Sequence, residues 1–352
     1  MEERLIVINT SKKYSGTGRY NGQIIRASAL PTHAFSFILS KSNLKNEFDG
    51  DVVRGVYPPI SSGWSLNFRF PRQTFRSALR GIENEITTST ILHYTDTSMM
   101  PPLVNENSIV TIHDLIPIDE KYGYDTRQRN YFLKALKEYG SFSHILTVSK
   151  YSKNVLEDSG LIQGNINVIH PFAEDAFHKI TGKKEDLRKK YSLPLDKKLI
   201  LSVTSNDARK NLKMVHMVTK ALGENYALVR VGPPLEGSFT FSGINDEGLN
   251  ELYNACDVLF IPSLLEGFCY PLLEGMAAGI PVVASDLDVL VEVSGNLALH
   301  SSNVVEDYVE KIKYAMDDNE GISDGERHYV EREYSPEKFS NNLNKYYKEV
   351  LS

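Results

Sequence analysis

Hydrophobic residues along the chain come in short runs of four to six, and the stretches between them carry polar residues at helical spacing. The first run, residues 5–8, ends in the polar pair Asn9 and Thr10. Short apolar runs without alternation are typical of strands buried on both faces, and intervening helices are typical of parallel sheets. The pattern predicts further strands at 34–39, 91–94, 108–112, 144–148, 166–169, 199–203, 226–231, 258–261 and 281–284.

These strands fall into two series, which predicts an α/β protein with two doubly wound domains. The 352 residues also exceed the usual size of a single core. We place the boundary where strand 166–169 ends in a proline and a polar loop begins. The predicted domains are 1–172 and 173–334, followed by a helix at 335–352 that begins at a Ser-Pro pair.

Composition is that of an ordinary globular protein, with 41% hydrophobic residues, 24% charged residues and a net charge of -6. Residues 1–172 carry 19 Lys and Arg against 16 Asp and Glu, and the rest carry 20 against 29, so the mildly basic first half suits an anionic acceptor or an anionic membrane surface better than the second half does. Nucleic acid is not a predicted partner. No run of 18 apolar residues and no signal-peptide pattern occurs, which predicts a cytoplasmic protein. The two cysteines, Cys256 and Cys269, have no His or Cys at metal-ligand spacing, so neither a disulfide framework nor a metal site is expected.

Two carboxylates, Glu266 and Glu274, stand on either side of a turn that follows strand 258–261. Pro271 suits the first turn of a helix, so we expect Glu274 within that helix's N-terminal turn. A carboxylate there can accept hydrogen bonds from a vicinal diol such as a ribose, while backbone N–H groups face a phosphate. The arrangement predicts a nucleotide-sugar site. The alternative is a pair of solvated helix carboxylates.

This segment resembles the E-x7-E signature of retaining glycosyltransferases of the GT-B fold, the group-1 or family 4 type. Residues 252–257 and 276–286 flank it in the order and spacing that the family shows. The resemblance implies two Rossmann-like domains facing a cleft. It also implies that Glu274 binds the nucleotide ribose, that Glu266 contacts the donor sugar, and that Phe268, Cys269 and Tyr270 belong to the donor site. Cys269 stands where the family usually has glycine, so its Cβ is expected to narrow the pocket.

Two cations, Arg209 and Lys210, follow strand 199–203 where the chain enters a helix. Ligands of such sheets lie at the carboxyl ends of the strands, and Arg and Lys there can bind a diphosphate. The stretch resembles the family's Arg-Lys-Asn segment, which implies diphosphate binding and stabilisation of the leaving group. A solvated helix start is the alternative interpretation.

A glycine-rich turn with Gly16 and Gly18 precedes a helix predicted to open near residue 21. It resembles the family's first loop, in which the backbone approaches the donor phosphates. The rival interpretation is a dinucleotide-binding loop. That loop would need an acidic residue closing the next strand, which instead ends in Ser40 and Lys41.

Four more positions follow strands or precede a helix at the expected donor site. His113 and Asp114 close strand 108–112, and the family has a similar pair there, with the histidine near the donor sugar. We expect His113 to donate to a sugar hydroxyl and Asp114 to orient it. A core histidine satisfied by backbone is the alternative. Ser149 begins the family's Ser-x-x-Ser loop, and Ile244 lies in its base-binding loop.

Segment 64–80 mixes aromatic residues with four arginines and contains no acidic residue. Such a segment can contact anionic lipid or hold a lipid-diphosphate acceptor, which predicts peripheral contact with the inner face of a membrane. A solvated basic helix beside the acidic stretch 83–85 is the alternative.

Taken together, the motifs predict a metal-independent, retaining glycosyltransferase without a bound cofactor. It would move a hexosyl group from a nucleoside-diphosphate sugar to a glycan or lipid-linked acceptor. Segments 113–117 and 209–211 look most like those of mannosyltransferases that use GDP-mannose. Alternatives are a nucleotide-sugar epimerase or hydrolase of the same fold, a transferase using UDP-glucose or a UDP-N-acetylhexosamine, a phosphorylase with a lysine-bound cofactor, and a non-catalytic binder.

Overall fold

The computed structural model describes residues 2–9, 11, 15–37, 53–56, 82–97, 101, 103–317 and 319–352. The basic segment 64–80 lies outside these residues, so its membrane contact stays a prediction. The chain divides into two compact units. Unit 1 comprises Met1–Pro171 with Glu337–Ser352, and unit 2 comprises Phe172–Pro336.

The described residues form two sheets, and every strand pair within them is parallel. The strands are β1 Arg4–Asn9, β2 Thr32–Phe37, β3 Val53–Val56, β4 Thr90–Tyr94, β5 Ser108–Thr111, β6 His144–Thr147, β7 Asn165–Val168, β8 Lys198–Val203, β9 Tyr226–Val231, β10 Ser238–Phe241, β11 Val258–Ile261, β12 Val282–Ser285 and β13 Leu299–Ser301. Three of them, β3, β10 and β13, were not predicted, because their sequences, Val-Arg-Gly-Val, Ser-Phe-Thr-Phe and Leu-His-Ser, are not uninterrupted apolar runs.

Helices cover the parallel strands, as crossover connections require. They are α1 Gly16–Ala27, α2 Thr126–Tyr139, α3 Lys150–Asp158, α4 Lys184–Lys190, α5 Leu212–Leu222, α6 Asp246–Ala255, α7 Tyr270–Ala278, α8 Asp288–Ser294, α9 Val305–Asp317, α10 Asn319–Glu333 and α11 Pro336–Leu351. Short 3-10 turns occur at Glu83–Glu85, Ile116–Ile118 and Ala208–Lys210.

Unit 1 has strand order β3-β2-β1-β4-β5-β6-β7. Its core packs fully buried apolar side chains between the sheet and helices α2 and α3, among them Val110, Leu136 and Leu156. The last helix, α11, belongs to this unit through buried polar contacts. The Nδ1 atom of His93 on β4 lies 2.9 Å from the Tyr347 hydroxyl of α11, and its Nε2 atom lies 2.8 Å from Thr111 Oγ1.

Unit 2 has strand order β10-β9-β8-β11-β12-β13, which repeats the relative order of the first six strands of unit 1. From β8 the chain adds β9 and β10 on one side of the sheet, and then it adds β11, β12 and β13 on the other side. The crossover direction therefore changes between the neighbouring strands β8 and β11. The loops at the carboxyl ends of those two strands form a crevice where ligands of this fold bind. Arg209 and Lys210 follow β8, and Glu266 follows β11. Strand order therefore brings the predicted cations and one predicted carboxylate to the same edge of the sheet.

Helix α1 differs from the prediction. It begins at Gly16, five residues before the expected start, and Ser15 caps it by accepting a hydrogen bond from the Gly18 backbone N–H at 3.0 Å. Gly16 and Gly18 therefore lie in the first turn of the helix and do not form a separate turn. The serine cap, a strong start signal, outweighed the low helix propensity of the glycines.

Candidate functional site

The loops that follow β8 and β11 are joined by a backbone hydrogen bond. Leu264 N donates to Arg209 O at 2.7 Å, which ties the 3-10 turn Ala208–Lys210 to the loop before α7. Asp207 caps the turn, and its carboxylate also accepts from Arg209 Nε at 2.9 Å. The backbone of the turn is thus tied to the loop after β11, and the Arg209 side chain is held by Asp207.

The Glu266 carboxylate binds both cations at once. Its Oε2 accepts from Arg209 Nη1 at 2.7 Å, and its Oε1 accepts from Lys210 Nζ at 2.5 Å. Ser263 Oγ adds a third hydrogen bond, at 2.7 Å to Oε1. We call Asp207, Arg209, Lys210 and Glu266 the ionic cluster.

Glu266 is only 4% exposed, so its charge depends on these partners. Burial alone would raise the pKa of this carboxyl group, but the nearby Lys210 and Arg209 outweigh burial and hold the pKa below its ordinary value. The carboxylate is therefore ionised at neutral pH. The cluster contains two cations and two carboxylates, so its formal charges cancel.

Cys269 adopts a conformation that explains why glycine is usual at this position. It is the residue before α7, and its φ of 87° and ψ of 76° lie in the left-handed region, where a Cβ is unfavourable. Its buried side chain lines a small cavity together with Lys210 and Glu266. Burial and the nearby Glu266 raise the pKa of the thiol to about 12, with Glu274 contributing in the same direction. Cys269 therefore lies within electrostatic reach of both glutamates.

Glu274 lies in the second turn of α7, not in the first turn, where it was expected. The helix starts at Tyr270 because Pro271 occupies an early position in the first turn. Glu274 is 3% exposed, and its Oε2 accepts a hydrogen bond from the Tyr253 hydroxyl of α6 at 3.0 Å. This contact orients a carboxylate that the helix dipole favours less than predicted.

The remaining predicted residues of unit 2 lie beside α7 or shortly before α6. Phe268 is buried, and its ring contacts those of Tyr270 and Tyr334 edge to face, with centroids 5.5 and 6.1 Å apart. Ile244 is half-buried directly before α6, which Asn245 caps by accepting from the Gly248 backbone N–H.

In unit 1, His113 is held by a backbone carbonyl. Its Nε2 atom donates to Thr95 O at 3.0 Å, and its ring packs edge to face against Tyr20. Burial lowers the pKa of the imidazole, although the Thr95 carbonyl and Asp114 oppose the shift. A neutral ring with its proton on Nε2 presents Nδ1 as a hydrogen-bond acceptor. A neutral ring with this proton has no second N–H, so it does not supply the predicted donation to a sugar hydroxyl, and a sugar contact by His113 stays a prediction.

Asp114 and Ser149 both stabilise local backbone in unit 1. Asp114 Oδ1 accepts from Ile116 N at 2.9 Å, at the start of the turn Ile116–Ile118. Ser149 caps α3, with Oγ accepting from Ser152 N at 3.0 Å. The Ser-x-x-Ser pattern of the sequence is thus a helix cap in the structure.

The predicted residues divide between the two units, and the structure brings together Arg209, Lys210 and Glu266 in unit 2. Three residues with structural roles near them were not predicted: Ser263, Tyr253 and Arg230. Ser263 lies three residues before Glu266, a spacing that a search for partners would have found. Tyr253 has no local signal, since it lies 21 residues before Glu274. Arg230 does have one, a single charge inside an apolar strand.

Among the residues that the structure describes, no cluster of three or more His, Cys, Asp or Glu side chains could hold a metal ion. Among the same residues, no helix combines the length and apolar character needed to cross a bilayer.

Comparison with known protein families gives a match to glycosyl transferases group 1 over residues 183–334. A curated relative is the serotype-specific mannosyltransferase WbdA of Escherichia coli, 29% identical over 216 residues. That alignment covers 53% of this chain and 26% of WbdA, so the chain matches about a quarter of that relative's length.

Solved structures match over nearly the full length of the chain. Sucrose-phosphate synthase from Thermosynechococcus elongatus has a TM-score of 0.81 at 16% identity, covering 99% of both chains. The Anabaena protein HepE in complex with UDP-glucose has a TM-score of 0.74 at 11% identity, covering 97% of this chain and 98% of HepE. At these identities the likeness concerns the fold. The paired parallel sheets and these nearly full-length matches give the chain the GT-B fold, and residues 183–334 match the glycosyl transferases group 1.

Proposed function

We propose that the chain is a retaining glycosyltransferase that moves a hexosyl group, namely mannosyl, from a nucleoside-diphosphate sugar to an acceptor hydroxyl. The observation that carries the proposal is the convergence of Arg209 and Lys210 on Glu266 at the carboxyl edge of the unit 2 sheet. The relationship to WbdA supports a mannosyl donor and an acceptor in glycan assembly.

We propose that Arg209 and Lys210 act on the leaving group. When the bond between the anomeric carbon and the phosphate oxygen breaks, its electron pair moves to the diphosphate. Arg209 and Lys210 are positioned before reaction, so they can stabilise this charge without reorganisation. Because two side-chain cations are present, we propose that the reaction needs no metal ion.

Glu266 and Glu274 are proposed to position the donor. Glu266 contacts the sugar, and Glu274, held by Tyr253, accepts hydrogen bonds from the ribose diol. Glu266 is engaged by three hydrogen-bond donors and is not proposed as a nucleophile. Retention is instead proposed to follow from attack on the face that the phosphate leaves, with the departing phosphate oxygen taking the acceptor proton. His113, through Nδ1, remains a proposed contact of the donor sugar.

The experiment is a donor screen with product analysis. Purified protein is incubated with GDP-mannose, UDP-glucose or UDP-N-acetylglucosamine, with and without a mannoside or lipid-linked acceptor. We expect release of the nucleoside diphosphate from GDP-mannose only when an acceptor is present, an α-linked product by NMR, and unchanged rates in EDTA. Free sugar without acceptor would indicate a hydrolase or epimerase, and failure to turn over any donor would contradict the proposal.

Two variants assign the reaction to the site. Lys210→Gln should lower kcat by roughly 10²- to 10³-fold, the usual effect of removing one donor to a developing negative charge. Lys213→Gln, an exposed lysine three residues further along on α5, is the matched control and should leave kcat unchanged.

A further inference from the structure

Arg230 is a fully buried arginine in the interior strand β9 of unit 2. Its side chain is 0% exposed, and it stands in an apolar sequence, Ala-Leu-Val-Arg-Val. No carboxylate of the described residues forms an ion pair with it. Burial lowers the pKa of its guanidinium, but arginine stays protonated in proteins. A buried, unpaired charge is costly, which calls for an explanation.

The acceptors around Arg230 are all neutral oxygens near the end of β8. Its Nη2 donates to Thr204 O at 3.2 Å, to Ser205 O at 3.5 Å and to Asn206 Oδ1 at 3.5 Å, and its Nε donates to Pro233 O. Among the described residues, Nη1 has no hydrogen-bond partner. The side chain thus holds the three-residue loop that leads directly into Asp207 and the turn Ala208–Lys210.

Close backbone packing places this charge beside the ionic cluster. Thr204 N donates to Val231 O at 3.0 Å, and a Cβ added to Gly232 would lie 2.1 Å from Thr204 O. Thr204 in turn lines the small cavity shared by Lys210 and Glu266. Arg230 is therefore separated from the cavity by a single residue that it contacts.

The charge balance of the site shows what Arg230 adds. The ionic cluster has two cations and two carboxylates and so offers no net charge to an anion. Arg230 is the nearby cation that no carboxylate offsets. We propose that Arg230 is a positioning residue that fixes loop 204–206 and adds a positive charge beside the ionic cluster, with which unit 2 selects diphosphate over less charged ligands. This inference rests on the proposed function, because it concerns the same donor site.

The test compares ligands that differ in charge. Affinities of the purified chain for GDP and GMP, and for UDP and UMP, are measured by calorimetry for the wild type, Arg230→Gln and Arg230→Lys. With Arg230→Gln we expect the diphosphate affinity to fall about tenfold and the monophosphate affinity about threefold, since the interaction scales with ligand charge. Arg230→Lys keeps the charge, so it should keep the wild-type ratio of diphosphate to monophosphate affinity.

Arg188 provides the matched control. It is also buried in unit 2, but its Nη2 lies 2.7 Å from Asp257 Oδ2, a carboxylate that precedes β11 at the opposite edge of the sheet. Arg188→Gln should lower the melting temperature and leave the affinity ratio unchanged.

Each outcome decides the matter. The inference is overturned if Arg230→Gln loses diphosphate and monophosphate affinity by the same factor. It is also overturned if Arg230→Lys has a lower ratio of diphosphate to monophosphate affinity than the wild type, because Arg230 would then only hold the loop in place. If Arg230→Gln does not fold, the Arg230→Lys ratio alone decides. A wild-type protein that binds neither GDP nor UDP would instead overturn the proposed function.

Discussion

The two units share one strand order but use the carboxyl ends of their strands differently. In unit 2 the loops after β8 and β11 carry charged side chains bound to one another, with Glu266 between Arg209 and Lys210. In unit 1 the loops that follow β5 and β6 place His113 on the Thr95 carbonyl and Ser149 on the Ser152 N–H, so these two predicted residues are held by backbone groups.

From this difference we predict that unit 2 supplies most of the binding energy for the proposed charged donor. Ion pairs at a buried site are sensitive to the loss of a single partner, whereas a helix cap contributes only about 1 kcal/mol. Substitutions in unit 2 should therefore change binding and catalysis, and those in unit 1 should mainly change stability. The following four predictions test that contrast, from the largest expected effect to the smallest.

Removing the central carboxylate should have the largest effect. Glu266→Gln leaves Arg209 and Lys210 without their shared partner, and breaking a buried ion pair in this way costs about 3 to 5 kcal/mol of unfolding free energy. Turnover should fall at least 100-fold, while nucleoside diphosphate affinity should hold or rise because the cluster gains net positive charge. Denaturant unfolding, kinetics and calorimetry measure the three quantities. The exposed Glu310→Gln is the control, and weaker diphosphate binding by Glu266→Gln would contradict this account.

Acid should destabilise unit 1 through His93. Burial, with a smaller contribution from His113, lowers the pKa of this imidazole to about 3. Below the unfolded pKa of about 6.5 the unfolded state binds a proton that the folded state does not, so stability falls as pH drops from 6.5 toward 3. The slope from this group approaches about 1.4 kcal/mol per pH unit.

The pH dependence can be assigned with one substitution. His93→Gln should flatten the fall in unfolding free energy between pH 6 and pH 4, while the exposed His216→Gln should leave it unchanged. Equal slopes in wild type and His93→Gln would show that other groups dominate the acid response.

Cys269 should reveal backbone strain at the start of α7. A residue with a Cβ in the left-handed region costs about 1 to 2 kcal/mol. Cys269→Gly and Cys269→Ala both lose the thiol, but only the glycine relieves the strain. We therefore expect Cys269→Gly to be more stable than Cys269→Ala by about 1 kcal/mol in urea unfolding. Equal stability would mean that the φ of 87° is not strained.

The smallest effect is expected at Ser149. Ser149→Ala removes the cap of α3 and should cost about 1 kcal/mol of unfolding free energy. Turnover should change less than about twofold if capping is the main role of this side chain. The exposed Ser143→Ala serves as the control. A large loss of turnover without loss of stability would instead support the prediction that Ser149 contacts the donor directly.

Much of the fold could be predicted from the sequence, because buried parallel strands leave uninterrupted apolar runs. Strand 226–231 was predicted at its observed bounds. The start of α1 was predicted wrongly, since the two glycines suggested a turn and the cap at Ser15 was given no role. Glu274 lies one turn later in its helix than predicted. Pro271 indicates that a helix begins nearby, but it does not fix the residue at which the helix begins.

The candidate site could be predicted in its residue types but not in its pairings. Motif spacing predicted Arg209, Lys210 and Glu266 as residues of the donor site. It did not show that Glu266 binds both cations, because that contact depends on the register of β8 against β11. The proton position on His113 likewise depends on Thr95, 18 residues away. The sugar specificity depends on contacts that neither motif spacing nor strand order supplies.

A crystal structure with bound GDP-mannose or UDP-glucose tests the central claim most directly. We expect the diphosphate within hydrogen-bonding distance of Arg209 and Lys210, and the ribose diol on Glu274. A diphosphate bound elsewhere, with Glu266 still holding both cations and Glu274 remote from the ribose, would contradict the account.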